Sequence, residues 1–451
     1  MTKSPPRPVP VGRYRYTKWR WRVLAHALDA LGGVAMRLWS GGRPIGPWNP
    51  PRRVLVVQLD HMGDSVLSSP ILPRLRAAWP GASIDVLASP SNRAVFEANP
   101  HVDRVHLADR NWFERRPGRW ALGSAVWGLG LRLRREHYDL GIDVRGDVLT
   151  VLVLTLAGIP RRVGWAMGGG GFLLTDLAEW VPGRHEVASR LALLEPLGLS
   201  TSGPTRVDVH VNDADRARVA SLLLGEWPRR SARRPRRVPV VSHANLFEET
   251  GSVSSRAGRD RDRRPLDEAE HLHAGRFGAM APLLAVHLGA GTAAKRWPKP
   301  HWDDLLGRFL QDGWRVVIVG GPDDADRAEG ISSHENLRDW TGRLAVTETT
   351  ALLERADLFI GADSGPAHLA ACAGVPSVIL FSGTNRARQW RPWSRRSLVL
   401  KHRVACRPCH HKTCPLANHP CMTGLDPDRV YQAARRWWAR LHRAESPHAP
   451  I

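Results

Sequence analysis

The 451-residue chain has no apolar run long enough to cross a bilayer. The longest, VLTVLVLTLAGI at 148–159, has the length of a buried helix. It opens without the apolar centre and small-residue cleavage site of a signal peptide, and its five cysteines are an odd number. A disulfide-stapled secreted protein is therefore not indicated, and a reducing, cytoplasmic setting is expected. Acidic residues are in deficit: 43 Asp and Glu stand against 65 Lys and Arg, a formal charge of +22. That balance favours an anionic partner such as nucleic acid, a membrane surface or a phosphorylated substrate, and composition does not choose among them. Apolar residues are not in deficit, for they make up 43% of a chain long enough for two ordinary domains with extensions.

Residues 1–50 form a basic, aromatic arm, with nine Lys or Arg against the single acid Asp29 and with Tyr14, Tyr16, Trp19, Trp21 and Trp39 interleaved. This suits an interfacial amphipathic segment on anionic lipid, and equally a solvated basic tail. The pattern changes at Arg53. VLVVQLD reads as a buried strand, GDSVLSSPILPRLRAAW as a Gly-led amphipathic helix and SIDVLAS as the next strand, with a further strand at YDLGIDV. These mark a first α/β domain at 51–224. Periodicity fails at 225–280, where PRRSARRPRR packs six Arg into 229–237, so a disordered linker or insertion is expected, with a nucleic-acid contact as the alternative. Order resumes with LLAVHLGAG, a helix from about His301, the strand WRVVIVGG and a helix after Pro322, giving a second domain at 281–425 and a C-terminal helix and tail at 426–451. Two Rossmann-like halves of this kind bind ligands in the cleft between them, outside the strand carboxyl ends.

Four turns at predicted strand ends carry the chemistry. In QLDHMGDS, Gly63 allows close approach and Asp64 sits at or near a helix N-cap, either merely capping it or serving as a site carboxylate. In HLGAGTAAKRWP, Gly289 and Gly291 open the backbone and Lys295 follows, a pattern that suits phosphate. In VGGPDDADRA, Asp323 or Asp324 follows a strand and could accept from ribose hydroxyls or cap a helix. In FIGADSGPAHLAACAGVPSVILF, Asp363, Ser364 and Gly365 start a helix whose dipole favours a diphosphate, and Gly374 with Pro376 closes it. Asp363 fits beside an anion only if it orients the loop or receives sugar hydroxyls. His368, one turn in, is a donor behind the site or a core histidine.

These blocks, taken with YDLGIDVRGD, RRVGW, HEVASRLALLEPLGL, WTGRLAVTETTALLERADLF and CRPCHHKTCPLANHPCM, resemble glycosyltransferase family 9. Those are the heptosyltransferases of lipopolysaccharide core synthesis and their relatives. The resemblance runs in order from about Arg53 to about Arg435 and omits the insertion and the basic arm. It implies a GT-B fold of two facing Rossmann-like domains, the first taking the acceptor and the second the nucleotide-diphospho-sugar. It also implies inverting, metal-independent transfer with no cofactor beyond the nucleotide-sugar co-substrate, most naturally ADP-heptose, to a lipid-linked or anionic glycan. On that basis Asp64 is the catalytic base. Lys295 meets the diphosphate, Asp323 the ribose, Thr341 and Gly342 border the base, and Asp363 marks the helix start. Gly289, Gly291, Ser364, Gly365 and His368 complete the expected donor site.

Cys406, Cys409, Cys414 and Cys421, spaced C-x2-C-x4-C-x6-C among His410, His411 and His419, offer zinc ligands or reduced structural thiols; the expectation is no metal. Two rival readings remain. A sugar-nucleotide epimerase of the same fold would turn over the donor alone. A non-enzymatic nucleic-acid binder would use the Arg cluster and the cysteines, although no nucleic-acid partner is expected.

Overall fold

Aliphatic and β-branched runs build the centre of the molecule. The structure, a computed structural model, describes residues 19–40, 49–108, 119–227 and 281–444. The Arg cluster at 229–237 lies outside the described residues, as do 1–18 of the basic arm. Contacts group the chain into two units: Met1–Val219 with Pro282–Ile451 holds both sheets, and Ala220–Ala281 is described only at its ends.

The first sheet comprises β1 (Arg53–Gln58), β2 (Ser83–Ala88), β3 (Arg104–Leu107), β4 (Leu140–Asp143), β5 (Arg161–Gly164) and β6 (Asp176–Leu177). The second comprises β7 (Leu283–His287), β8 (Arg315–Ile318), β9 (Leu337–Asp339), β10 (Leu358–Ala362), β11 (Ser377–Phe381) and β12 (Ser397–Lys401). Their orders are β3-β2-β1-β4-β5-β6 and β12-β11-β10-β7-β8-β9, with every pairing parallel. β7, β10 and β11 are buried at every residue, as central parallel strands covered on both faces must be. Chain direction across each sheet reverses between β1 and β4 and between β7 and β10. Those reversal points leave a crevice at the strand carboxyl ends, and the four turns of interest start there or beside it.

Helices close the layers. In the second half, Trp302, Phe309, Trp314, Val430 and Trp438 join one core through the helices Lys299–Gln311 and Pro427–Ala444. Two sequence expectations differ from the structure. The single helix expected from Gly63 to Trp79 is two, Met62–Ser68 and Ile71–Ala78, because Pro70 has no N–H to donate and sits at the break. The helix expected after Pro322 is a 3-10 turn, Pro322–Arg327.

Candidate active site

The turn after β1 is held by a buried amide. Asn92 Nδ2 donates to Gln58 O at 2.9 Å, Asp60 O at 2.8 Å and Ser65 Oγ at 2.7 Å. From the neighbouring β4 turn Arg145 pairs with Asp60, and that turn is itself fixed by Asp143, whose carboxylate accepts from the Arg145 and Gly146 N–H groups. Burial pushes Asp143 up to about 7 against those bonds. The framed turn delivers the helix Met62–Ser68, whose N-cap is His61, not Asp64. Asp64 instead stands in the first turn, where the dipole suits a carboxylate, with Oδ1 3.9 Å from Arg190 Nη2.

Arg190 is a group that sequence reasoning passed over, although it lies in the quoted HEVASR block. It is 2% exposed, donates from Nε to Ser68 Oγ at 3.2 Å, pairs with Glu186 at 3.1 Å and lies over the Trp165 ring at 5.2 Å. Its guanidinium is thereby fixed before it reaches Asp64.

In the second half, β7 leads to the 3-10 turn Ala293–Lys295 and β10 to Asp363. Lys295 Nζ donates to Asp363 Oδ2 at 2.7 Å and to Asp363 O at 3.2 Å, and Asn385 Nδ2 donates to the same carboxylate oxygen at 3.0 Å. Asp363 thus holds the Lys295 ammonium and the Asn385 amide on one carboxylate oxygen. Ser364 is the N-cap of the helix Gly365–Ala373, but its hydroxyl bonds Ala362 O at 3.1 Å and stands 3.0 Å from His287 Nδ1, leaving the helix start without a side-chain cap. Gly374 closes that helix at φ +71°, a left-handed conformation open to glycine.

His287 Nε2 stands 3.0 Å from Asp324 Oδ2. Burial alone would raise the Asp324 pKa, but the His287 hydrogen bond and charge, with the Gly321 N–H and the Arg327 charge, hold the carboxyl below its usual range. A Cβ on Gly289 would overlap this carboxylate, so glycine there is a packing requirement. Asp324 therefore belongs to the internal network, whereas Asp323 is exposed to solvent. Thr341 and Gly342 stand beside Gly320 and Pro322, Gly342 donating to Gly320 O at 2.9 Å with φ +74°. Gly291 has open space where a side chain would begin.

The two halves meet at these turns. A Cβ on Gly365 would overlap the Met62 methyl, and one on Gly63 would stand 3.0 Å from His368 Cδ2. Gln389 donates to Glu186 at 2.8 Å, and His185 Nε2 stands 2.9 Å from Arg391 O. His368 is buried, and its Nδ1 has no hydrogen-bond partner among the described residues. Burial pushes it down to about 4; the Asp363 charge opposes this and the Lys295 and His185 charges add to it, so the ring is neutral at pH 7.

The cysteine-bearing segment buttresses the turns of the second half. Ala294 N donates to Lys412 O at 3.0 Å, His419 Nε2 stands 3.0 Å from Ala294 O, and Cys409 N donates to Gly383 O at 2.9 Å. It thus ties the turn carrying Lys295 to the strand exit carrying Asn385. All five cysteines are free thiols, Cys372 and Cys421 buried, and among the described residues no group of three or more His, Cys, Asp or Glu is placed to hold a metal.

Residues 126–419 match the profile of glycosyltransferase family 9 (heptosyltransferase). The chain belongs to that family. The membership makes it a glycosyltransferase and sets aside the epimerase and the non-enzymatic nucleic-acid binder. This family 9 chain is 26% identical over 396 residues to lipopolysaccharide heptosyltransferase 1 of Pseudomonas aeruginosa, covering 84% of this chain and 96% of that one. It is 23% identical over 342 residues to lipopolysaccharide heptosyltransferase 3 of Escherichia coli, covering 74% and 84% respectively. Among solved structures, E. coli ADP-heptose lps heptosyltransferase II superposes with a TM-score of 0.62 at 19% identity, covering 86% of this chain and 99% of that one. An E. coli heptosyltransferase with ADP gives 0.56 at 17% identity, covering 85% and 99%. The fold is therefore the GT-B arrangement. The matched segment begins at residue 126, so the turn carrying Asp64 enters the site by geometry and not through that match.

Proposed function

We propose that this glycosyltransferase moves heptose from ADP-heptose, with inversion, to a lipid-linked acceptor of lipopolysaccharide-core type at the inner face of the cytoplasmic membrane. One observation carries the reading: the turn of Gly63 and Asp64 abuts Gly365 and His368, beside the Lys295–Asp363 pair. A candidate base and a candidate diphosphate cradle thus lie at one junction. The heptosyltransferase names of the relatives support the sugar, and the ADP in one structural neighbour supports the nucleotide.

In this reading the half at 51–224 takes the acceptor and the half at 281–425 the donor. Asp64 removes the proton of the acceptor hydroxyl as its oxygen attacks the anomeric carbon, and the bond to the diphosphate oxygen breaks on the opposite face. Arg190 aims Asp64. The departing ADP gains charge, which Lys295 and the N–H groups of the Gly365–Ala373 helix start meet without a metal or other cofactor. Gly289 and Gly291 let the backbone approach the diphosphate. Asp323 takes the ribose hydroxyls, and Thr341 with Gly342 borders the base. Neutral His368 sits behind the junction as a hydrogen-bonding group.

The test is calorimetric binding of ADP, UDP and GDP at physiological salt, followed by transfer from ADP-heptose to a heptose-free lipid-linked core acceptor. Selective ADP binding with an inverted product anomer is expected. Preference for UDP or GDP would discard heptose, and binding of none would overturn the donor site.

A further inference from the structure

The helix Trp19–Ser40 lies outside the family-matched segment and precedes the first strand. One face seats on the first half of the molecule. Ala25 is buried, Asp29 Oδ1 accepts from Gly170 N at 2.6 Å, and Gly32 packs so tightly on Phe172 that a Cβ would overlap its ring. Positions 25, 29 and 32 recur at i, i+4 and i+7, which is a single helix face.

The opposite face is apolar and, among the described residues, uncovered. Trp19 is 72% and Leu31 74% exposed, with Val23, Leu24, Leu28 and Val34 exposed between and beyond them. A contiguous row of large apolar side chains on a soluble surface marks a place where water is to be displaced. Charge identifies what displaces it. Residues 1–50 carry nine basic residues and one acid, and that acid, Asp29, is turned inward to Gly170, while Arg20 and Arg22 are exposed at the end of the helix that carries Trp19. An apolar protein groove would gain nothing from this one-signed arm, whereas an anionic bilayer pairs with both features. No described helix is long and apolar enough to cross a membrane, so this one lies in the plane of the surface.

We propose that Trp19–Ser40 is an in-plane anchor whose Trp19, Val23, Leu24, Leu28, Leu31 and Val34 face enters the headgroup boundary of an anionic phospholipid bilayer. Ala25, Asp29 and Gly32 lock the anchor to the catalytic body, so the half proposed to take the acceptor is held at the surface in a fixed orientation. The inference deepens the membrane placement proposed above. Its test uses neither sugar nucleotide nor acceptor, so it stands or falls apart from the transfer reaction.

The experiment is co-sedimentation of the full chain with vesicles of phosphatidylcholine alone and of phosphatidylcholine with phosphatidylglycerol. Binding only to the anionic vesicles is expected. Leu24→Ser/Leu31→Ser should weaken it by roughly tenfold or more with an unchanged melting temperature, because each serine removes apolar area from the inserted face. Arg20→Gln/Arg22→Gln should weaken binding and flatten its salt dependence. Failure to bind either vesicle, equal binding to both, or wild-type binding by the Leu24/Leu31 variant overturns the proposal. So does a dimer in solution that the same variant dissociates, which would give the face to a second copy.

Discussion

Replacing Lys295 by Met separates its pairing with Asp363 from its proposed contact with the diphosphate. The Lys295 side chain is 20% exposed and that of Asp363 6%, so the ammonium works in a partly desolvated setting. A charge pair near 4 Å at an effective dielectric of about 20 is worth about 4 kcal/mol. Because the ammonium is already engaged by Asp363 at 2.7 Å, only about half of that remains as a gain on binding a diphosphate. About 2 kcal/mol corresponds to a roughly 30-fold loss of ADP affinity. The same change strips a buried carboxylate of its cation and leaves Asn385 as a neutral donor, which should cost about 2 kcal/mol of stability. The second substitution Asp363→Asn removes the stranded charge. Lys295→Met/Asp363→Asn should therefore recover stability in urea unfolding but stay weak for ADP by calorimetry. An affinity within twofold of wild type in Lys295→Met, or affinity returning together with stability in the double variant, refutes the assignment.

Four further outcomes follow from the geometry. Asp64→Asn should keep donor binding and lose transfer by roughly a hundredfold or more, the usual contribution of a general base; unchanged turnover removes Asp64 from that role. Arg190→Lys should lower kcat by roughly tenfold at unchanged ADP affinity, because an ammonium cannot hold Ser68, Glu186 and Asp64 at once; equal loss of kcat and stability would mark Arg190 as purely structural. His368 is held near 4 in the folded state against about 6.5 unfolded, so the unfolded chain takes up a proton that the folded chain refuses. Stability should accordingly fall as pH drops from about 6.5 to about 4, by about 3 kcal/mol in all, and His368→Gln should flatten that slope in urea titrations. Gly289→Ala should destabilise by about 1–3 kcal/mol, since its methyl meets the Asp324 carboxylate that His287 holds in place; a neutral melting shift would show that this network yields.

Local signals located the strands and the turns. Uninterrupted runs such as LLAVH and SVILF announce strands buried on both faces, because only a central parallel strand hides every residue, and the glycines with Lys295, Asp363 and Ser364 mark where those strands end. Local signals failed where a neighbour in sequence outweighs a period: Pro70 splits a helix that amphipathicity draws as one. Identical residue types in tandem also defeated them. Asp323 and Asp324 are the same in sequence, and only the approach of His287 turns the second inward. Asn385 and Arg190 carry no motif of their own that ties them to the site, since one matters through Asp363, 22 positions away, and the other through Ser68 and Asp64, 122 and 126 positions away.

The sequence by itself determined two α/β halves, the turns at their strand ends, the cationic balance and a family likeness, because burial periodicity and glycine turns are written over a few neighbouring residues. Tertiary structure alone decided that Asp64 leaves the N-cap to His61, that Asp363 pairs with Lys295, and that the apolar row of the first helix faces outward. Each of these depends on which distant surface occupies the opposite side of the group, and a linear pattern does not record that.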